Sequence, residues 1–262
     1  MNILDRIIAK KKIEVEERKR HISRVELAKA PFFKKEVPGL KEYLLNENRT
    51  GIIAEFKRKS PSKGIINDSS SVAEVTEAYA SYGASAISIL TDEEFFGGSL
   101  NDLLEGTVNE IPILRKDFII DEYQLVESKA FGASVILLIA ACLTKEEVRS
   151  LAASAKNIGL NVLLEIHCEE ELEHICDDID VVGINNRDLK TFAVDVNRSV
   201  ELGKKIPGNK IKISESGIDD VETIRLLQQN GFKGFLMGEK FMKENDPGAA
   251  FKTFIDRLNK TA

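Results

Sequence analysis

The sequence predicts an α/β protein of the (β/α)8 barrel class, in which eight parallel strands alternate with helices. Short β-branched runs begin roughly 20 to 34 residues apart, which is enough for a strand, a crossover helix and two loops. Amphipathic stretches lie between these runs, as expected for helices that cover a parallel sheet. The chain has 262 residues, close to the roughly 250 that such a barrel uses. An open, doubly wound sheet is the alternative that shares this alternation.

Eight short apolar runs, rich in Val, Ile and Leu, predict the strands. In chain order they are Ile52–Phe56, Ala86–Leu90, Pro112–Arg115, Ser134–Ile139, Asn161–Ile166, Val181–Ile184, Lys210–Ser214 and Gly234–Met237. No Gly-x-Gly-x-x-Gly sequence follows the first strand, and this weakens the open-sheet, dinucleotide-binding alternative.

Six stretches with helical periodicity and boundary signals predict helices between the strands. They are Ser71–Tyr82, Tyr123–Phe131, Thr144–Ile158, Glu169–Cys176, Asp219–Asn230 and Pro247–Leu258. Thr144 with Glu147, and Asp219 with Glu222, have the spacing of a capping box, which marks the start of a helix.

The first 47 residues precede this alternation and predict a helical extension packed on the barrel. In Met1–Ser23, apolar residues recur at helical spacing opposite a face of mixed charge. Val25–Leu45 is predicted as connecting structure with a short helix over Leu40–Leu45, because two prolines interrupt it. The whole chain, 1–262, is therefore predicted to be a single barrel domain that carries residues 1–47 as its extension.

Composition and charge disfavour two classes of partner. The net charge of -6 gives no attraction to nucleic acid, and the basic run Lys10–Lys12 is interpreted as a solvated helix face because glutamates follow it. The longest apolar stretch, Ala133–Leu143, is far shorter than the roughly 20 residues that span a bilayer. Three cysteines without a framework spacing favour a reducing compartment. These features predict a cytoplasmic protein that binds neither nucleic acid nor membrane.

Four strands end with charged side chains on the face that carries their apolar residues. Because side chains alternate between the two faces of a strand, Glu55 and Lys57 extend the buried face of the first strand. Lys116, Glu165 and Glu215 do the same for the third, fifth and seventh strands. Burying one charge is costly unless it is paired. The pattern predicts a mutually neutralising cluster typical of an active site, although a purely structural group of ion pairs would look the same.

Seven motifs, in order and in spacing, resemble the indole-3-glycerol phosphate synthase family: IAEFKRKSPSKG, LTDEEFFGGS, ILRKDFIIDEYQ, LLEIH, GINNRDL, ISESGI and FLMGE. The resemblance covers essentially the whole chain. It implies a (β/α)8 barrel and a carboxy-lyase of tryptophan biosynthesis. Such an enzyme converts 1-(2-carboxyphenylamino)-1-deoxyribulose 5-phosphate to indole-3-glycerol phosphate, with loss of CO2 and water. This implies a phosphorylated small molecule as partner, and neither a metal nor an organic cofactor.

The resemblance also implies roles for individual residues. Lys116 would protonate the substrate ketone, and Glu165 and Glu55 would transfer protons later. The other residues implied as catalytic are Lys57, Asn185 and Glu215. Those implied as substrate-binding are Ser60, Phe96, Phe118, Arg187, Leu189 and Ser216. The turns after the last two strands imply a phosphate site at Gly217, Gly238 and Glu239, where backbone N–H groups can approach an anion closely.

Three further expectations concern charge in the site. Lys116 lies near both a glutamate and a second lysine, an arrangement that can tune its pKa for general acid catalysis near neutrality. The loop after the first strand carries three basic residues that suit a dianionic substrate: Arg58, Lys59 and Lys63. At Glu239 the donor to the phosphate would be the backbone N–H, and the acidic side chain can point away.

Other interpretations remain open from the sequence. Lys116 could form a Schiff base, as in an aldolase that acts on a phosphorylated sugar. The barrel could also be a non-catalytic binding subunit. Arg187 could form a surface salt bridge instead of binding the substrate carboxylate. His167 and the cysteines near it match no standard zinc spacing and are not predicted to bind a metal. The predicted oligomeric state is a monomer or a weak homo-oligomer.

Overall fold

The strands form a closed barrel. The computed structural model describes residues 3–189 and 191–260, in which eight parallel strands make one continuous sheet. Their bounds are β1 Ile52–Phe56, β2 Ala86–Leu90, β3 Ile113–Lys116, β4 Val135–Ile139, β5 Asn161–Ile166, β6 Val181–Asn185, β7 Ile211–Glu215 and β8 Gly234–Met237. β1 pairs with β2 on one side and with β8 on the other. The predicted (β/α)8 class is confirmed, and the open sheet is wrong because no edge strand is left among these eight.

Helices surround the barrel, and most of them follow a strand as predicted. Their bounds are α1 Ile3–His21, α2 Arg24–Leu27, α3 Leu40–Leu45, α4 Val72–Ser81, α5 Glu93–Phe96, α6 Leu100–Gly106, α7 Glu122–Ala130, α8 Lys145–Asn157, α9 Asn197–Gly203, α10 Val221–Gln229, α11 Glu239–Met242 and α12 Pro247–Lys260. Shorter elements are the 3₁₀ helices Pro31–Lys34, Ala140–Cys142 and Glu169–His174, and a hairpin that pairs Lys59–Ser60 with Gly64–Ile65. Within the described ranges, no helix combines the length and the apolar character needed to cross a membrane.

One predicted helix has a different geometry. The segment predicted as an α-helix over Glu169–Cys176 is a 3₁₀ helix over Glu169–His174. No side chain caps its start. Glu169 and Glu173 are also like charges four residues apart, which disfavours a regular α-helix.

The two predicted capping boxes have different outcomes. The box of Thr144 and Glu147 at the start of α8 is confirmed. The box predicted at Asp219 is wrong because the next residue, Asp220, caps α10. Its carboxylate accepts a hydrogen bond from the backbone N–H of Thr223 at 2.7 Å. Helix α10 therefore begins one residue later than predicted, because Asp220 and not Asp219 provides the capping carboxylate.

The barrel interior is apolar beneath the charged strand ends. One buried cluster receives a side chain from each odd-numbered strand: Ile53, Leu114, Leu163 and Ile213. Leu40 of α3 joins this cluster, and its backbone N–H donates to the side chain of Asn161, at the start of β5. Helix α3 therefore closes the amino-terminal end of the barrel, and the charged residues lie at the opposite, carboxyl-terminal end.

The N-terminal segment packs against helix α7. Arg18 of α1 lies 3.2 Å from Glu127, and Lys19 lies 2.7 Å from Asp121, which caps α7. The hydroxyl of Tyr123 donates to the backbone oxygen of Arg18 at 3.2 Å. Residues 1 and 2 of the predicted first helix, and residues 190, 261 and 262 of the predicted domain, lie outside the described residues. That the chain forms a single domain stays a prediction.

The sequence predicts that the basic run Lys10–Lys12 is a solvated helix face, and this is wrong for its central residue. Lys11 is fully buried. Its ammonium lies 2.9 Å from Asp92 and 3.0 Å from Asp117, at the carboxyl ends of β2 and β3. Burial alone would lower the pKa of Lys11, but these carboxylates and Glu14 outweigh burial and raise it. The lysine therefore ties helix α1 to the mouth of the barrel.

Candidate active site

A cavity of about 620 Å³ opens at the carboxyl ends of the barrel strands. The predicted catalytic residues on its wall are Glu55, Lys57, Lys116, Glu165, Asn185 and Glu215. The predicted binding residues on its wall are Ser60, Phe96, Phe118, Arg187, Leu189, Ser216, Gly217, Gly238 and Glu239. Side chains that are distant along the chain thus converge on one space, because parallel strands end at the same rim.

The centre of the cavity is an ammonium group between two carboxylates. Lys116 ends β3, and its Nζ lies 2.9 Å from Oε2 of Glu165 and 3.8 Å from Oε2 of Glu215. Gly183 of β6 lies between the strands that carry the two glutamates. A Cβ atom at Gly183 would collide with Oε1 of Glu215. The glycine therefore gives Glu215 the room to reach the lysine.

The three central groups have strongly perturbed proton affinities. Burial would lower the pKa of Lys116, but Glu165, Glu215 and Glu55 outweigh it and raise that pKa. Burial would raise the pKa of Glu165, but Lys116 and His167 hold it well below its usual range. At neutral pH Lys116 is therefore an ammonium and Glu165 a carboxylate. Carboxylates dominate the surroundings of Lys116, so they shift its pKa upward, away from neutrality.

Glu215 has the opposite protonation from Glu165. Burial and the nearby charge of Glu165 raise the pKa of Glu215 to about 8, against the opposing effect of Lys116. Its Oε1 atom is buried and has no hydrogen-bond partner among the described residues. At neutral pH this carboxyl group is mostly protonated, so it can donate a hydrogen bond and leaves Glu165 as the ionised member of the pair.

A second ion pair stands at the end of β1. Nζ of Lys57 donates to Oε1 of Glu55 at 2.6 Å. A Cβ atom at Gly238 would lie 2.6 Å from the same oxygen, so this glycine makes room for Glu55. Asn185 ends β6 and donates from Nδ2 to Oε1 of Glu165 at 3.1 Å. Polar groups from five strands, β1, β3, β5, β6 and β7, thus face the cavity together.

Aromatic and aliphatic side chains form another part of the wall. The rings of Phe96 and Phe118 have centroids 6.2 Å apart and planes inclined by 40°. Ile3, Leu4 and Ile7 of helix α1 also line the cavity. The sequence pointed to the two phenylalanines but not to the residues of α1, because their apolar spacing fits any helix that packs on a barrel.

The loop after β1 contributes less positive charge than the sequence predicts. Arg58 makes a two-pronged ion pair with Asp102 of α6, at 2.5 and 2.9 Å. Lys59 donates to the backbone oxygen of Glu94 at 2.6 Å. Neither residue is part of the cavity wall, whereas Lys63 is. The expectation that all three basic residues face a dianionic substrate is therefore wrong, because two of them hold the hairpin against its neighbours.

The turns after β7 and β8 lie side by side on the cavity wall. Ser216 and Gly217 both have left-handed backbone conformations, with φ of 68° and 71°. The carboxylate of Glu239 stays at the cavity wall instead of pointing away from it. It lies 3.5 Å from Lys63 and 3.5 Å from Arg187, both on the cavity wall. Arg187 therefore forms a salt bridge at the mouth of the cavity, in which the Glu239 carboxylate pairs with its guanidinium group.

A sequence model of the family described as indole-3-glycerol phosphate synthase matches residues 4–254 of this chain. The chain belongs to this family. An indole-3-glycerol phosphate synthase from Bacteroides thetaiotaomicron is 48% identical over 260 residues, which cover 98% of this chain and 99% of that protein. One from Campylobacter jejuni subsp. doylei is 42% identical over 259 residues, which cover 97% of this chain and 100% of that protein.

Two solved structures show the same barrel architecture at low sequence identity. The 3-hexulose-6-phosphate synthase from Salmonella typhimurium superposes with a TM-score of 0.62 at 11% identity, covering 81% of this chain and 100% of that one. A chain of the tryptophan synthase complex from Pyrococcus furiosus superposes with a TM-score of 0.59 at 15% identity, covering 80% and 97%. These likenesses concern the fold alone.

The indole-3-glycerol phosphate synthase motifs imply roles for many residues on the cavity wall, but none for His167, which ends the motif LLEIH and lies behind the wall. His167 lies next to Glu165, with Nε2 of the ring 3.2 Å from Oε1 of the carboxylate. In the sequence His167 attracts notice only as a weak metal candidate. Its place on the same strand face as Glu165, two residues earlier, was the available signal. Within residues 3–189 and 191–260, no three His, Cys, Asp or Glu side chains are arranged to hold a metal ion.

Proposed function

We propose that this chain converts 1-(2-carboxyphenylamino)-1-deoxyribulose 5-phosphate to indole-3-glycerol phosphate, with release of CO2 and water, in tryptophan biosynthesis. The observation that carries this proposal is the ammonium of Lys116, 2.9 Å from Glu165, in a cavity with aromatic rings on its wall. A ring-closing reaction needs a proton donor at a ketone and a base near the ring, and these two groups would supply both.

In the first stage, we infer that Lys116 is the general acid. The ring carbon that bears the carboxylate attacks the ketone carbon, and a carbon–carbon bond forms. The ketone oxygen takes a proton from the Lys116 ammonium and becomes a hydroxyl group. Loss of CO2 then returns the electrons of the broken carbon–carbon bond to the ring. The raised pKa of Lys116 supports this role, because the group is charged when the substrate arrives.

In the second stage, the hydroxyl group leaves as water and a proton leaves the new ring. We assign the removal of this proton to Glu165, which is held ionised. We assign protonation of the departing hydroxyl group to the Lys57 ammonium, which is paired with Glu55 at 2.6 Å. Glu215 and Asn185 would orient these groups by hydrogen bonds. Because the carboxylates are close together, the two proton transfers belong to the cluster as a whole.

Binding of the substrate is proposed to divide between the two sides of the cavity. Phe96 and Phe118 would contact the aromatic ring, and Ser60 and Leu189 would contact the rest of the substrate at the mouth of the cavity. The turns at Ser216–Gly217 and Gly238–Glu239 would hold the phosphate through backbone N–H groups. Arg187 would bind the carboxylate of the aromatic ring once it leaves Glu239.

The protonation state of Lys116 argues against the Schiff-base aldolase. A lysine that forms a Schiff base must lose its proton first, and such lysines usually have a depressed pKa. Lys116 has carboxylates on two sides and a raised pKa. Borohydride with the substrate should therefore not trap a covalent adduct. The proposed steps use side-chain proton transfer alone, so we propose no metal and no organic cofactor.

We also propose a cytoplasmic location and a monomer or weak homo-oligomer, without nucleic-acid or membrane partners. The net charge of -6 supports the absence of nucleic-acid binding. The three cysteines, Cys142, Cys168 and Cys176, are free thiols, which supports a reducing compartment.

The direct test is turnover of the carboxyphenylamino-deoxyribulose phosphate, followed by the fluorescence of the indole product. Lys116→Ala should lose nearly all turnover, roughly a hundredfold or more, and should still bind the substrate. Lys12→Ala, at an exposed lysine of α1, is the matched control and should behave like the wild type. Near-normal turnover of Lys116→Ala would contradict the assignment of the general acid.

A further inference from the structure

His167 lies between two carboxylates behind the cavity wall. Its Nε2 atom is 3.2 Å from Oε1 of Glu165, and its Nδ1 atom is 3.5 Å from Oε2 of Glu171. The backbone N–H of His167 donates to the same Glu171 oxygen at 2.6 Å. The side chain is 10% exposed, and His167 is not among the residues on the cavity wall. It therefore contacts the proposed base without being placed to contact the substrate.

The surroundings of this imidazole favour its charged form. Burial would lower the pKa of His167, but Glu165 and Glu171 outweigh burial and raise it to about 9. Burial and the same two carboxylates raise the pKa of Cys142 to about 12, so the thiol near them is neutral. His174 directs its ring nitrogens to the backbone oxygens of Leu143 and Glu171. At neutral pH the ring of His167 is thus a cation between two anions.

Glu165 is held at both of its oxygens. Oε2 faces the ammonium of Lys116 at 2.9 Å. Oε1 accepts from Nδ2 of Asn185 at 3.1 Å and faces the His167 ring at 3.2 Å. On the far side of Lys116 stands Glu215. The carboxylate that we assign as the base therefore has two cationic neighbours, one on the cavity wall and one behind it.

The two cations differ in what the proposed reaction does to them. Lys116 gives its proton to the substrate ketone in the first stage, so its positive charge is lost when Glu165 has to act as a base. An ionised carboxylate in a buried site is costly without a counter-charge. His167 takes no part in the proton transfers, because it is not on the cavity wall. Its charge can persist through the whole cycle.

We propose that His167 is a positioning residue that keeps the Glu165 carboxylate ionised and oriented after Lys116 has given up its proton. Glu171 holds the histidine in place from the other side, through the ring and through the backbone N–H. This inference rests on the proposed function, because it assigns a task to the same base. It adds a residue outside the cavity to the machinery that prepares that base.

The first test is the pH dependence of turnover in His167→Gln, which removes the charge and keeps a polar side chain. The acid limb of kcat/KM reports the ionisation of the essential base in the free enzyme. Loss of one cation in contact with Glu165 should move this limb upward by about one pH unit or more. KM should change by less than about threefold, because His167 does not contact the cavity.

The matched control is His174→Gln, seven residues further along the chain at the end of the 3₁₀ helix Glu169–His174, whose ring nitrogens lie at hydrogen-bond distance from the backbone oxygens of Glu171 and Leu143. Its pH profile should superpose on that of the wild type. A purely structural role for His167 would lower the yield or the melting temperature of His167→Gln without moving the limb. An unshifted acid limb in an active His167→Gln enzyme would overturn the inference.

A second measurement does not depend on activity. The imidazole signals of the wild type, assigned by their absence in His167→Gln, should titrate by NMR with a midpoint near 9. Glu171→Gln should lower this midpoint, because one of the two flanking carboxylates becomes neutral. A wild-type midpoint at or below about 6.5, the ordinary value for histidine, would overturn the inference even if His167→Gln fails to fold. Absence of turnover in the wild type would instead contradict the proposed function.

Discussion

Replacing Lys11 with Met should destabilise the protein severely, although Lys11 lies in a run of charged residues on the first helix. Its side chain is fully buried, and its ammonium is 2.9 Å from Asp92 and 3.0 Å from Asp117. Methionine keeps most of the apolar stem and removes the charge. Two buried carboxylates would then lose their common partner. Removing one member of a buried ion pair typically costs about 3 to 5 kcal/mol.

The remaining contacts place the expected loss near the lower end of that range. Asp117 keeps its ion pair with Arg115 at 2.9 Å and a hydrogen bond from Thr91. Asp92 still accepts a hydrogen bond from the backbone N–H of Phe95 at 2.8 Å. We therefore expect the free energy of unfolding to fall by about 3 kcal/mol. For a chain of this size this corresponds to a melting temperature lower by roughly 6 to 12 °C.

The assay is urea unfolding followed by circular dichroism, with Lys12→Met as the control at a neighbouring exposed lysine. The control should stay within about 0.5 kcal/mol of the wild type. Adding Asp92→Asn to Lys11→Met should restore part of the loss, because it removes one uncompensated charge while the amide can still cap α5. A loss below about 1 kcal/mol for Lys11→Met would show that the buried lysine contributes no more than a surface ion pair.

Two further predictions concern pH and the phosphate side of the cavity. Because the folded-state pKa of His167 is raised to about 9, its contribution to stability is fully present below about pH 6.5 and is lost as pH rises through 9. At pH 6 the unfolding free energy of the wild type should exceed that of His167→Gln by up to about 3 kcal/mol. This difference should disappear by pH 10. A difference that does not change with pH would contradict the assignment of a positive charge to His167. Glu239→Gln should free Lys63 and Arg187, each 3.5 Å from its carboxylate, and lower KM by up to about fivefold, whereas the exposed control Glu244→Gln should not. A higher KM for Glu239→Gln would mean that the carboxylate itself helps to bind the substrate.

The sequence sufficed for most of the fold because the relevant signals are local. Each barrel strand is a short apolar run, and the observed bounds agree with the predicted ones to within one residue. The helices that were not predicted are short, such as Glu93–Phe96 and Asn197–Gly203. They have too few turns for the helical spacing of apolar residues to be recognised. Boundaries failed where two neighbouring residues could serve as the cap, as at Asp219 and Asp220.

The sequence also identified the charged strand ends that face the cavity, because alternation along a strand is a local rule. It placed Lys116, Glu165 and Glu215 on inner faces, and all three line the same space. The family motifs then added the binding residues, which the structure brings to the same cavity. Their individual roles stay predictions for the assays described above.

Only the tertiary structure decided how those charges act on one another. The raised pKa of Lys116 and the opposite protonation of Glu165 and Glu215 depend on distances between strands that are far apart in the chain. The burial of Lys11 depends on carboxylates about 80 and 106 positions away, which no local pattern can reveal. A strand pattern states which face a side chain takes. Electrostatic energy depends on burial and on separation in space, and packing alone sets both.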